Sequence, residues 1–111
     1  MAGMTLDEFE HRVIAACSNS SAVQSIALNT TSETTIRFRI VLVDNSFIDV
    51  FFNEKLGKAS YAVIKNGSRI FGADNTGGWH WHPREDPSDH VPAGSAITFE
   101  EFLEKVEKGL E

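Results

Sequence analysis

The segment of residues 74–90, DNTGGWHWHPREDPSDH, concentrates most of the side chains in this chain that could take part in chemistry. In an extended backbone, residues two apart point to the same side, so His80 and His82 can converge. His90 follows eight residues after His82, far enough for the chain to return to the pair. Because imidazole titrates near neutral pH, all three histidines are candidate catalytic acids and bases.

The same histidines could bind a metal, because Asp74, Asp86 and Asp89 supply carboxylates nearby. Two or three imidazoles and a carboxylate suit zinc or another divalent transition metal. A His-x-His pair is less specific than a Cys-x-x-Cys pair, however, and the chain contains no HExxH or Cys/His finger pattern. We therefore assign no residue as a metal ligand from the sequence, and a small metalloprotein remains an alternative. The pattern specifies no cofactor.

Other residues of the segment are predicted to bind or to position a ligand: Asp74, Asn75, Trp79 and Trp81. The alternation of WHWH places both tryptophans on the side opposite the histidines, where they would anchor the segment to the core. A mainly structural segment is the alternative, with its histidines as hydrogen-bonded anchors of a proline-containing loop.

Two helices and a sheet are predicted to position this segment. T-x-x-E capping boxes at Thr5 and Thr98 each precede apolar residues at helical spacing. Between them lie a weak strand (AVQSIAL), the alternating strands TTIRFRIVLV and FIDVFFN, and a hairpin around Asn66-Gly67. We predict an α+β fold: an antiparallel meander of about five strands with the N-terminal and C-terminal helices packed on one face. Residues 74–90 would form an irregular loop.

The strand registers follow from keeping apolar residues on one face of the sheet. A loop of residues 44–46 would place Leu42 opposite Ile48. In the second hairpin, the Asn-Gly turn would place Tyr61 opposite Gly72.

The other face of the sheet carries Arg37 and Arg39, with Arg39 predicted opposite Phe51 and diagonal to Asp49. A guanidinium can hold phosphate or carboxylate with two hydrogen bonds, so this face could bind a phosphate-bearing ligand or an acidic partner. The alternative is a solvated face with one cross-strand ion pair.

The formal charge of −6 and pI near 5.1 argue against broad, non-specific nucleic-acid binding, but they allow a local basic face.

Cys17 is the single cysteine of the chain and is predicted to be a small buried residue of the first helix. No apolar run reaches membrane-spanning length and no secretory signal is visible, so we predict a cytoplasmic protein. Residues 4–111 would form a single domain, with residues 1–3 a cloning remnant or a flexible N-terminus. The sequence does not specify the oligomeric state.

Several motifs together resemble the TumE-type family of small toxins from toxin–antitoxin pairs. These motifs are Tyr61 and the stretches GSRIFGADN, WHWHP and DHVP. The resemblance covers about half the chain, from Ile36 to Pro92. It departs from the family pattern in two places: Trp81 separates the first histidine pair, and the second histidine cluster is reduced to His90.

The resemblance implies a toxin that is neutralised by a helix-turn-helix antitoxin encoded beside it. By analogy with other small toxins, the hypothesised activity is cleavage of RNA. His80, His82 and His90 would then be the acid–base residues, and Arg37 and Arg39 would stabilise the charge on the phosphate. The alternative function is a non-catalytic protein-binding or regulatory module.

Overall fold

A computed structural model describes residues 4–30 and 32–110 of the chain. Helix α1 (Leu6–Ser18) precedes the strands and helix α2 (Phe99–Leu110) follows them. The strands are β1 (Val23–Thr30), β2 (Thr35–Leu42), β3 (Phe47–Asn53), β4 (Lys58–Lys65), β5 (Ser68–Asp74), β6 (His80–His82) and β7 (Val91–Pro92). The interpretation of residues 1–3 concerns a part of the chain outside the described residues.

Both helices begin where the capping boxes predicted. The hydroxyl of Thr5 accepts a hydrogen bond from the backbone N–H of Glu8 at 3.1 Å. Thr98 accepts one from the N–H of Glu101 at the same distance. These bonds satisfy N–H groups that the first helical turn leaves without a partner, which is why threonine is favoured there.

The seven strands form one antiparallel meander, in which each strand pairs with the next in sequence. This confirms the predicted α+β class and adds two strands to the five or so expected. The additional strands are β6, which lies within the segment predicted as irregular, and β7, which directly follows it. They are three and two residues long, too short for the sequence to predict them as strands. They form by successive pairing, β6 with β5 and β7 with β6.

One hydrophobic core joins the two helices to one face of the sheet, which we call the inner face. Its fully buried side chains come from α1, α2 and the central strands, and include Val13, Phe38, Ile48, Val50 and Phe102. The opposite face, which we call the outer face, carries the alternate residues of each strand. Among the described residues, no helix is long and apolar enough to span a membrane.

The hairpin between β2 and β3 differs from the predicted register. Its loop has the expected three residues, but these are residues 43–45 rather than 44–46, so Ile48 lies opposite Ile40. Asn45 occupies the last loop position with φ of 71°, in the left-handed region that asparagine tolerates better than most residues. The shift is of two residues, and an even shift leaves every side chain on its predicted face.

The hairpin between β4 and β5 has the predicted Asn-Gly turn, but a bulge interrupts the pairing after Arg69. Tyr61 consequently lies opposite Ala73 rather than Gly72. The extra residue turns Ala73 toward the core and Asp74 toward the outer face, the reverse of the predicted alternation. A bulge that re-aims a side chain in this way is common beside functional sites.

Candidate functional site: a histidine cluster on the outer face

Strand β6 confirms the predicted alternation of the WHWH motif. Trp79 stacks on Tyr61 with ring centroids 5.7 Å apart, and Trp81 stacks on Phe71 at 5.7 Å. Both tryptophans pack against the core on the inner face. His80 lies between the two tryptophans, His82 ends the strand, and both histidines point to the outer face. The packing of the indole rings on the inner face therefore fixes the position of these histidines.

Three imidazole rings meet on the outer face, and we call His80, His82 and His90 the histidine cluster. The ring centroids of His80 and His82 are 4.9 Å apart. The ring of His90 stacks on that of His80 at 4.8 Å and meets His82 edge-on at 4.8 Å. His80 and His82 are buried while His90 is exposed, so the cluster has one accessible side.

The carboxylate of Asp74 contacts two of these rings. Its Oδ2 accepts a hydrogen bond from Nε2 of His82 at 2.9 Å. Its Oδ1 lies 3.3 Å from Nε2 of His80 and accepts a hydrogen bond from the backbone N–H of Thr76 at 3.0 Å. Burial raises the pKa of Asp74, but the hydrogen bonds from His82 and Thr76 and the nearby imidazoles outweigh it, so the pKa lies below its ordinary value.

Hydrogen bonding assigns the protons of His80. Its Nδ1 lies 3.0 Å from the carbonyl oxygen of Gly78, and because a carbonyl can only accept, this nitrogen carries hydrogen. The contact between its Nε2 and Asp74 lacks hydrogen-bond geometry, which leaves that nitrogen without a hydrogen-bond partner among the described residues.

His82 has the opposite arrangement. Its Nε2 donates to Asp74, so in the neutral ring Nδ1 holds the lone pair. This Nδ1 is buried and has no hydrogen-bond partner among residues 4–30 and 32–110. A buried polar atom without a partner typically costs about 1–3 kcal/mol, and such an atom is often satisfied by a ligand.

The turn before β6 places the cluster against β5. Asn75, predicted to bind a ligand, instead bonds the backbone: its side chain accepts from the N–H of Ala59 at 3.0 Å and donates to the carbonyl of Gly57 at 2.7 Å. Gly77 and Gly78 follow with φ of 70° and 107°, values that glycine adopts without strain. Asn75 therefore fixes the position of the adjacent aspartate and does not face the histidines.

The arginines predicted to act with the histidines lie elsewhere on the same face. Arg39 is opposite Asp49 rather than Phe51, with its Nε 3.5 Å from the carboxylate, and Arg37 lies over the ring of Phe51 at 4.9 Å. The position of Arg39 differs from the prediction, whereas the predicted face of both arginines is confirmed.

Strand pairing relates these arginines to the histidine cluster through two straight rows of side chains across the outer face. One row runs through Arg37, Phe51, Ser60, Asp74 and His80. The parallel row runs through Arg39, Asp49, Ala62, Gly72 and His82. Each arginine is therefore separated from the histidine at the end of its row by four inter-strand spacings, or about 19 Å at about 4.8 Å per spacing.

Arg69 is the arginine beside the cluster, and it was not among the residues predicted from the sequence. It lines a pocket of about 340 Å³ together with Asp74, Thr76 and the three histidines, and it donates a hydrogen bond to the carbonyl of Pro87 at 2.9 Å. Gly72 gives it room: a Cβ there would lie 3.3 Å from Arg69 and 3.6 Å from His82. No sequence pattern marks this arginine, because its neighbours depend on the bulge.

A second cavity, the adjoining cleft, opens next to this pocket. It has a volume of about 600 Å³ and is bordered by His80, His90, Trp79 and the backbone around Gly77 and Gly94.

Of the other two carboxylates considered from the sequence, Asp86 accepts hydrogen bonds from Ser88 and Asp89 accepts one from the backbone of His90. The site thus combines three imidazoles, one carboxylate and one guanidinium beside open space.

The fold and the site define a class of small α+β proteins with a seven-stranded meander and a histidine cluster on its open face. The model of the family described as Toxin TumE matches residues 10–110, which is 101 of the 111 residues. The chain therefore belongs to the TumE family, which confirms the resemblance and extends it over α2 and most of α1. No curated protein and no solved structure matches the chain. The family match supports a toxin role.

Proposed function

We propose that the chain is the toxin of a toxin–antitoxin pair and that it cleaves RNA at the histidine cluster. The observation that carries the proposal is the contact of three imidazole rings with one another, beside open cavities, with two of the rings also in contact with the carboxylate of Asp74. Paired imidazoles can supply both a base and an acid near neutral pH, which is what cleavage of a phosphodiester by internal attack requires.

In the proposed reaction, a neutral imidazole takes the proton from a ribose 2′-hydroxyl, whose oxygen attacks the adjacent phosphorus. A protonated imidazole gives its proton to the departing 5′-oxygen. The products are a 2′,3′-cyclic phosphate and a 5′-hydroxyl, with no other reactant consumed. We assign these transfers to His80 and His90, which line both cavities. His82, bonded to Asp74, completes the cluster, and Arg69 stabilises the charge that develops on the phosphate.

The two rows of the outer face offer a path for the RNA strand. Between the arginines and the histidines, the rows contain the small residues Ser60, Ala62 and Gly72, together with Phe51, Asp49 and Asp74. A single strand crossing this shallow surface would meet Arg37 and Arg39 well away from the reacting phosphate, near the aromatic rings on which bases can stack. A local basic face of this kind is compatible with the overall negative charge, since binding depends on the charges nearest the strand.

The test is cleavage of a defined single-stranded RNA by purified protein, with mass analysis of the fragment ends. We expect fragments ending in 2′,3′-cyclic phosphate, and we expect growth arrest when the protein is induced alone in cells. His90→Ala should abolish both effects. Because His90 is exposed, its replacement should leave the fold intact, as far-UV circular dichroism would show.

His11→Ala is the matched control, since His11 is the fourth histidine, is exposed, and lies on α1 away from the outer face. It should behave as the unchanged protein does. Intact RNA under all conditions, or equal cleavage by His90→Ala, would eliminate the catalytic proposal. Growth arrest without RNA cleavage would retain the toxin and reject the ribonuclease.

A protein-binding module is the second candidate, and the edge strand β1 favours it. Within residues 4–30 and 32–110, this strand of eight residues pairs on one side only, with β2. It carries the exposed apolar residues Ile26 and Leu28. An exposed strand edge can accept a strand from a partner, so an antitoxin could bind here. The backbone N–H of Leu28 points away from β2 toward the free edge, so proline at position 28 would block added pairing. Normal antitoxin binding by Leu28→Pro, with its fold verified, would count against this surface.

A further inference from the structure

We infer that the histidine cluster is a binding site for one divalent transition-metal ion of the zinc type, with His80, His82 and His90 as its ligands. One ring nitrogen from each residue lies within 4.8 Å of one from each of the others. The sequence alone offered no reason to prefer this site, because the spacing of a His-x-His pair and a distant histidine is not specific. The inference concerns metal binding and does not depend on the toxin role.

The separation of the rings is close to what a metal requires. Zinc binds imidazole nitrogen at about 2.0–2.1 Å in a tetrahedral arrangement, which places ligand nitrogens roughly 3.4 Å apart. The widest pair in the cluster would therefore need to close by about 1.4 Å. His90 is exposed, so its side chain can rotate toward the two buried rings without disturbing the core.

The unpartnered nitrogens of the buried histidines are the second observation. Nε2 of His80 and Nδ1 of His82 have no hydrogen-bond partner among the described residues, and the side chain of His82 is only 4% exposed. A buried ring nitrogen that keeps its lone pair without a partner destabilises the fold. Metal coordination would satisfy it.

The remaining nitrogens of these two rings are already held in the manner typical of metal-binding histidines. Nδ1 of His80 donates to the carbonyl of Gly78 at 3.0 Å, and Nε2 of His82 donates to Asp74 at 2.9 Å. Such outer bonds fix the orientation of a metal-binding imidazole and make its other nitrogen a better donor. Three histidines would leave one coordination position for water or another small ligand.

A bound metal would occupy ring nitrogens that proton transfer needs. If the proposed function holds, a stoichiometric ion should therefore inhibit RNA cleavage, and a chelator should restore it. This consequence rests on the proposed function, whereas the metal site itself is tested without RNA.

The test uses protein prepared without an affinity tag, stripped with chelator and titrated with Zn²⁺ and with Co²⁺. We expect one equivalent of metal per chain and a rise in melting temperature on binding, because an ion that binds the folded state stabilises it. Asp74→Asn, which keeps the shape of the side chain, should weaken binding by roughly 10–100-fold. His90→Ala should weaken it by more than about 100-fold, since it removes a direct ligand.

His11→Ala again provides the control and should bind metal as the unchanged protein does. The inference is overturned if neither ion binds at one equivalent, or if His90→Ala binds as tightly as the unchanged protein. Because His90 is exposed, this variant avoids the unfolding that replacement of buried His82 could cause. Metal binding together with absence of RNA cleavage by the chelator-stripped protein would support the site and reject the ribonuclease, so the two proposals can fail separately.

Discussion

Asp74 and His82 are the last residues of neighbouring strands, and they are joined diagonally by a hydrogen bond of 2.9 Å between the two rows of the outer face. Asp74 belongs to the row that ends at His80, while His82 ends the row beside it. The bond therefore ties the two rows together and fixes the relative position of the two buried imidazoles.

Replacing Asp74 with asparagine should remove the charge that both buried histidines face. Hydrogen bonds to charged groups contribute about 1.5–3 kcal/mol, and partial exposure reduces this, so we expect a decrease of roughly 1–2 kcal/mol in the free energy of unfolding. Urea titration would measure it. Glu85→Gln removes a carboxylate from an exposed loop position and should have almost no effect; equal stability of the two variants would contradict the role of Asp74.

Replacing Trp81 with alanine should destabilise the protein and loosen the cluster. Trp81 stacks on Phe71, and the ammonium of Lys105 lies 5.4 Å from its ring. Replacing a large core aromatic residue with alanine lowers the free energy of unfolding by about 3–5 kcal/mol. Because Trp81 is only partly buried, we expect a decrease of about 2–3 kcal/mol. Trp81→Phe should retain most of the stability. Unchanged histidine ring signals in the NMR spectrum of the alanine variant would show that the indole does not position β6.

The turn between β2 and β3 predicts a pH dependence. Hydrogen bonds from Ser46, together with Lys65, lower the pKa of Asp44 below 3.8. A lowered pKa in the folded state means that the ionised carboxylate stabilises the fold above pH 3.8, and that this contribution disappears as the pH falls through the lowered value. The stability difference between the unchanged protein and Asp44→Asn should therefore shrink below pH 3.8, measured by urea unfolding at several pH values.

A control for this pH dependence is Ser46→Ala, which removes the first cause of the shift. In that background, Asp44→Asn should produce a smaller pH-dependent difference. A difference that persists unchanged would assign the effect to groups other than this turn.

Cys17 should be unreactive in the folded protein. It is buried in the core, and burial raises the pKa of its thiol to about 11. Because the thiolate is the reactive form, iodoacetamide at pH 8 should not modify the native chain but should modify it readily in urea. Rapid modification without denaturant would show that α1 opens frequently.

The distance between the arginines and the histidines predicts different kinetic effects for them in the proposed ribonuclease. Replacing Arg37 and Arg39 together with alanine should raise KM for RNA and reduce the salt dependence of binding, by about one unit of slope for each phosphate that the protein no longer binds. The value of kcat should change little, because both side chains lie about 19 Å from the cluster. Arg69→Ala should instead lower kcat, and a similar effect of both variants on kcat would contradict this division.

Much of the fold could be predicted because its signals are local. The capping boxes at Thr5 and Thr98, the Asn66-Gly67 turn and the alternation of WHWH each depend on a few neighbouring residues. Their outcomes follow from backbone sterics and side-chain periodicity, which act over one turn of helix or a few residues of strand. The faces of β2 and β3 were also predictable, since an error of two residues in register leaves them unchanged.

The composition of the site depended on interactions between distant parts of the chain. The bulge after Arg69 directs Asp74 to the outer face, and the sequence contains no periodic signal for one extra residue. The short strand β7 brings His90 back to the cluster, and its two residues carry too little pattern to predict. The same pairing separates Arg37 from the histidines, although both were assigned to one site.

The sequence by itself determined the histidines as the residues that could do chemistry, and the faces that β2, β3 and the WHWH motif present. The tertiary structure alone decided which side chains meet: three imidazoles with one carboxylate and Arg69, and not with the arginines of β2. The reason is physical, because conformational preferences act between neighbouring residues, whereas the position of a strand in a sheet is set by backbone hydrogen bonds and core packing summed over the whole domain.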